Sequence, residues 1–426
     1  MRRKPQTFNA AVLMTVLAGL VISTTGPVRA AYPFHKDPDK LVVTRGDKVV
    51  KALPCERIML DGKGRWGHYQ LRGHIGATSD GTLYAQVGGV WGGGSIVSQC
   101  RNVMFKSTDQ GRTWTSWNVD LPQKRIIVVF AVLNDDTFLA GATEPGDRCV
   151  SYYSSQDRGK TWTQICELKP DPFKTLSIGG GLLQLADGTV LSVIHYSVRP
   201  PAGVHFSQGI YAGYVLRSTD GGHTWSNGPN PALWKPLIDA KLMVAPLGPD
   251  SRIPGPGGTF PGTYEIGLAQ DADGRVLGAM RFSGPQWPWH KNYIEAWGGK
   301  PADGVGRIFR QVMFSTSHDD GVTWSLFRPF TDAKGRPVIV QQETNGQLVP
   351  LSNGRLVLVH QRRFGPLQLI ARVSEDNGKT WLHDEYRLSA GFGHSGNILL
   401  EDGTIVTITG KSLSGYNAQV IRWRLP

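Results

Sequence analysis

Arg72, Glu265, Asn345 and His394 lie far apart in the chain, yet each stands nine residues before the glycine of a short turn, at Gly81, Gly274, Gly354 and Gly403. The same count from Gly188 reaches Gly179, and from Asp136, which takes the glycine's place in its turn, it reaches Ile127. A guanidinium can hold an anion through a fork of N–H donors. A carboxylate or an imidazole can take and return a proton. Charged groups at the starts of core strands are costly unless they are paired or used, so these positions form a candidate site. The alternative use is structural, with Arg72 and Glu265 paired as ions across a channel.

The elements that must carry these residues follow from two interleaved repeats. The first is a turn between apolar runs, in "TSDGTLYA", "LNDDTFLA", "LADGTVLS", "DADGRVLG", "LSNGRLVL" and "LEDGTIVT". Asp-Gly turns of this kind join antiparallel strands. The second is the octet S-x-D-x-G-x-T-W, at Ser107, Ser155, Ser218, Ser317 and Ser374. Repetition argues against a catalytic role for the octet, because an active site needs one constellation. Its Ser and Asp oxygens suit turn amides, its Gly an unusual backbone angle, and its Trp an anchor in the core. Six hairpins, five of them followed by an octet, predict six units of four antiparallel strands, an all-β six-bladed propeller. The last unit lacks an octet and ends in "AQVIRWRLP"; the early segment "LVVTRGDKVVKALPCERIML" is expected to supply its missing strand. High glycine and proline, 53 and 27 in 426 residues, agree with many short strands and turns.

Residues 1–30 read as a signal peptide, with Arg2, Arg3 and Lys4 ahead of an apolar run and Val28-Arg29-Ala30 as the cleavage site. One propeller domain over 31–426 is then expected, secreted or periplasmic, monomeric and with no membrane span. Removing the four positive charges of the signal leaves about +8 of the stated +12. Lys and Arg are scattered, so nucleic acid is not an expected partner. Cys149 and Cys166 flank one octet turn symmetrically and are expected to face each other, with Cys55 and Cys100 left as the other pair. No cysteine pair has metal-ligand spacing and no nucleotide or flavin motif occurs, so no metal and no cofactor is expected. Trp287, Trp289 and His290, in "SGPQWPWHKNYIEAW", have the composition of a sugar-stacking loop or of a packed cover.

The octets resemble the Asp boxes of the sialidase (neuraminidase) superfamily, and the resemblance covers about residues 45–426. It implies a glycoside hydrolase of terminal acidic sugars, with three arginines on the substrate carboxylate, a tyrosine nucleophile activated by a glutamate, and an aspartate as acid/base. "YEIGLAQDADGRVLGAMR" is similar to the family's fourth unit, giving Glu265 as the activating glutamate and Arg281 as the second arginine. Arg72 falls near the first arginine, and Arg362 or Arg363 offers the third. The count, the tryptophan loop and the resemblance together give Glu265, Tyr416 and His394 at the chemistry, and Arg72, Arg281, Arg363, Asn345 and Trp289 on an acidic glycan.

Two departures from the family are visible. The stretch between Gly81 and the first octet holds no Asp or Glu, and His394 stands where the tyrosine belongs. Tyr416 from the following loop, and Glu144 or Asp147 from the second unit, are the candidates to replace them. These departures keep two alternatives. One is a lyase on uronic-acid glycans, whose His or Tyr base would come from His74, His195, His205, His290, His360, His394 or a tyrosine. The other is a propeller that binds glycans without turnover.

Overall fold

The computed structural model describes residues 39–60, 72–88, 102–143, 149–169, 175–198, 210–226, 259–261, 263–285, 308–325, 327–339, 343–362, 367–390, 394–411 and 417–426. The expected signal peptide, Cys100, Glu144, Asp147, His205, Trp287, Trp289, His290, Arg363 and Tyr416 lie outside them. The side chain of Arg72 does too, although its backbone is described.

Among the described residues six antiparallel sheets form, each running outward from an innermost strand; four pair their strands in sequence order, and the last two add early strands at their outer edge. The innermost strands are Arg72–Ala77, Ile126–Val132, Thr175–Gln184, Thr263–Gln270, Glu343–Pro350 and Ser395–Leu399. Each contacts the next, and the sixth contacts the first, so the ring is closed. The protein is an all-β six-bladed propeller, with one short 3-10 turn, Pro122–Lys124, among the described residues. No helix there is long and apolar enough to cross a membrane.

The core is divided among the blades. Six buried apolar clusters each span two consecutive blades, as where Leu191, Val193 and Val215 of the third meet Ile266, Met280 and Met313 of the fourth. Both faces of a blade are therefore covered, which explains why strands such as Ile126–Val132 are apolar almost throughout rather than alternating.

The early segment closes the ring as expected. Cys55–Leu60 lies antiparallel to Asn417–Trp423 as the fourth strand of the sixth blade. What the repeats did not foretell is the hairpin before it, where Leu41–Arg45 pairs with the outer strand of the fifth blade, Glu385–Ser389, and Lys48–Leu53 follows at the edge. The buried side chains of Leu41 and Val43 pack in the cluster shared by blades five and six.

The octets act as turn punctuation. In the first, Ser107 Oγ donates to Asp109 Oδ1 and accepts from the Gly111 amide, both at 2.8 Å, while the Thr113 amide and hydroxyl donate to Asp109 at 2.9 and 2.7 Å. Gly111 has φ +89°, which a side chain resists. Trp114, Trp162 and Trp324 each donate to the carbonyl of their turn glycine. Octets and hairpins share one face of the ring, tied by Asn377 Nδ2 donating to Asp273 (3.0 Å) and by the Arg158–Asp80 ion pair (2.9 Å).

One expectation fails. The hairpin places Cys166 opposite Tyr152, three residues from Cys149: the turn pairs Ser154 with Thr163, two positions out of the register that would align the cysteines, and a bulge between Tyr152 and Tyr153 adds one more. The two thiols do not face each other, and Cys149 Sγ instead accepts from Arg125 at 3.7 Å.

Burial raises the octet carboxyls, but the hydrogen bonds from their own turns outweigh it and hold Asp109, Asp157 and Asp220 at about 2. An unfolded chain titrates these groups near about 4. Their stabilisation is therefore complete above that pH and is lost as pH falls through about 2. The melting temperature should drop across this window, and Asp157→Asn should lower it at neutral pH while flattening the drop; parallel curves for the two proteins would refute the assignment.

Candidate functional site

Hairpins lie on the turn face, so residues nine positions earlier lie at the opposite end of the innermost strands. There the ladders are irregular. Register shifts fall between Ile127 and Val129, Ile178 and Leu182, Tyr264 and Ile266, and Thr344 and Gln347. A bulge re-aims a side chain that strict alternation would send between blades. Glu265 and Asn345 sit inside such bulges with φ of +56° and +59°. A left-handed conformation costs a residue with a Cβ roughly 1–2 kcal/mol, so the surrounding contacts must hold it.

Those contacts join three blades. Arg281, on the second strand of blade four, donates from NH1 to Glu265 Oε2 at 2.7 Å. His394 Nε2, from blade six, lies 3.6 Å from Glu265 Oε1 and 3.2 Å from Asn345 Nδ2. Asn345 Nδ2 also donates to Gln361 Oε1 at 2.9 Å. All five residues are buried. An amide nitrogen only donates, so the tautomer that accepts from Asn345 leaves the lone pair on His394 Nε2, 3.6 Å from a carboxylate engaged by Arg281. Asn345 Oδ1 and Gln361 Nε2 are buried without a hydrogen-bond partner, a capacity a bound polar molecule can use.

The structure thus gathers Glu265, Asn345 and His394 as the count of nine predicts, and brings Arg281 to them. Glu265 is paired with Arg281 in its own blade. Arg72 opens the innermost strand of blade one. Ile127 does not belong to the site, being fully buried in the cluster between blades one and two. Gly179 has His195 against it: a Cβ built there would fall 2.2 Å from His195 Cε1.

Arg362 is committed elsewhere. Its Nε donates to Glu343 at 2.9 Å and its NH1 to Glu385 at 3.0 Å, while Arg372 reaches Glu385 at 2.7 Å. This network crosses blade five. Burial raises the Glu343 carboxyl, against the pull of Arg372 and Arg362, and burial with the same two arginines keeps His360 neutral by lowering it well below its usual value. A clamp residue must be able to turn to a ligand; Arg362 is held by two carboxylates.

Counting back found one member of each cross-strand pair and missed the other. Arg281 and Gln361 each stand seven residues after a hairpin glycine, and so does His195. That forward count was available in the sequence.

No protein-family pattern and no curated protein sequence matches the chain. Solved structures do. A protein of unknown function from Dyadobacter fermentans is 15% identical, with a TM-score of 0.55 over 87% of this chain and 98% of that one. The Trypanosoma rangeli sialidase, in complex with 2,3-difluorosialic acid as a covalent intermediate, is 12% identical with a TM-score of 0.51; the match covers 86% of this chain and 58% of the sialidase chain. An α-L-arabinanase from Penicillium chrysogenum, complexed with arabinobiose, is 10% identical with a TM-score of 0.53 over 91% and 98%. At such identities the likeness is one of fold, shared with propeller glycosidases of different substrates.

Removing one partner of a buried ion pair strands the other, at a cost of about 3–5 kcal/mol, whereas removing both costs far less. In urea unfolding, Arg281→Met should be destabilised by about that amount and the double variant Glu265→Gln/Arg281→Met should recover most of it. Additive losses would mean that the pair is not coupled.

Proposed function

We propose that this chain is an exported, monomeric glycoside hydrolase of the sialidase type that removes terminal acidic sugars from glycans. The observation that carries the reading is Glu265, held buried in a left-handed conformation with Arg281 at 2.7 Å and His394 at 3.6 Å. A strained carboxylate placed by three blades against a guanidinium and an imidazole is an expensive arrangement for structure alone.

In this reading Arg72, Arg281 and Arg363 hold the sugar carboxylate, and Asn345 and Trp289 bind the ring. Glu265 takes the proton of the nucleophile, Tyr416, which attacks the oxocarbenium-like centre; His394 lines that centre. Glu144 or Asp147 is the proposed acid for the leaving oxygen. The propeller glycosidases among the similar structures support a carbohydrate-active reading without fixing the sugar.

The lone pair on His394 Nε2 favours a second reading, elimination from a uronic acid. There Nε2 takes the proton alpha to the carboxylate, the electron pair forms a carbon–carbon double bond, and the glycosidic oxygen leaves with its bonding pair. A glycan-binding propeller without turnover is the third.

Products from a panel of glycans capped with sialic or uronic acids, analysed by mass spectrometry, separate the three. Hydrolysis predicts released acid that has gained one water. An unsaturated product would replace hydrolysis by elimination, and binding with no product would leave a lectin-like protein. His394→Ala should lower kcat by about 10²-fold or more under either enzymatic reading. Unchanged turnover in that variant would remove His394 from the site.

A further inference from the structure

Blades four and five build the site from the same device, a cross-strand pair sixteen residues apart, Glu265 with Arg281 and Asn345 with Gln361. Blade three holds the equivalent pair, Gly179 and His195. Here the innermost strand contributes no side chain, and the imidazole from the second strand takes its place: the built Cβ of Gly179 falls 2.2 Å from His195 Cε1 and 2.4 Å from Nδ1.

The two glycines that follow explain why this blade differs. A Cβ on Gly180 would lie 2.6 Å from the carbonyl oxygen of Ile266, and one on Gly181 would lie 2.9 Å from the Leu268 amide. Blade three therefore approaches blade four more closely than any side chain permits, beside the residue that follows Glu265. The glycine run lets two backbones meet and clears the space that His195 fills. His195 is as deeply buried as Glu265 and Arg281.

We infer that His195 is a substrate-contacting residue of the site, a second imidazole on the blade-three side of the Glu265–Arg281 pair, hydrogen-bonding a sugar hydroxyl next to the bound carboxylate. The inference rests on the reading of this end of the propeller as a glycan site. A hydroxyl both donates and accepts, so it can pair with an imidazole nitrogen in either tautomer. Gly179 is then a specificity residue at one remove, because any side chain there drives the ring out of place.

The test uses the full-length mature protein and whichever glycan of the acidic panel it turns over or binds best. His195→Gln should raise KM, or Kd, about tenfold with a much smaller change in kcat. Gly179→Ala should do the same and also lower the melting temperature. The decisive variant is Gly179→Ala/His195→Gly, which removes the clash: it should regain thermal stability while KM stays high. Recovery of wild-type KM in that double variant, or a wild-type KM in His195→Gln, would show that the imidazole only packs and would overturn the inference alone. A wild-type protein that neither binds nor cleaves any glycan of the panel would overturn the site reading and this inference with it.

Discussion

Closure of the ring is the constraint on which the rest depends. The strand Cys55–Leu60 pairs from Trp423↔Cys55 through Ala418↔Leu60, so the first described part of the chain completes the last blade. The residues that meet at the candidate site come from blades four, five and six, and the innermost strand of blade six is held between those of blades five and one. Neither short helices nor disulfides do this work among the described residues. Antiparallel hydrogen bonds and the apolar clusters between blades do, and the Leu41–Arg45 strand adds a second tie by pairing with blade five.

Once the ring is closed, two buried ionic groups divide its upper end by purpose. In blade five, Arg362 and Arg372 are shared between Glu343 and Glu385 in a mesh running across four strands. Each guanidinium there has more than one carboxylate within ion-pair distance. In blade four, Glu265 pairs with Arg281 at 2.7 Å and lies 3.6 Å from His394 across the channel. The left-handed backbone at Glu265 directs its carboxylate to that place.

The fold was legible because its punctuation is local. An octet whose Asp must receive its own turn's amides, and a hairpin glycine at positive φ, leave residue-level traces that repeat. Glu265, Asn345 and His394 were legible for the same reason, since a fixed strand length converts a turn position into a strand start. On the partner strands the count gave nothing: Arg281 came from the resemblance, Gln361 was missed, and His195 stood only among six candidate histidines rather than at its place beside Gly179. Ile127, apolar where four of the six counted positions are polar, faces the core as its type indicates. Long-range pairings were illegible by nature. The hairpin on blade five joins segments more than 300 residues apart, as Val43 opposite Tyr386, and the cysteine pairing failed on the register of the octet hairpin, two residues off symmetry at the turn and one more after a bulge.

The account's central claim is that the strand-start end of the channel, around Glu265, Arg281 and His394, receives an acidic sugar. A crystal structure of the mature protein soaked with the acidic monosaccharide products of the panel tests it most directly. The account predicts the sugar at that end, its carboxylate within hydrogen-bonding distance of Arg281 and its ring against His394. Sugar bound on the face of the octet turns, or at the strand-start end with its carboxylate turned away from Arg281, would contradict it.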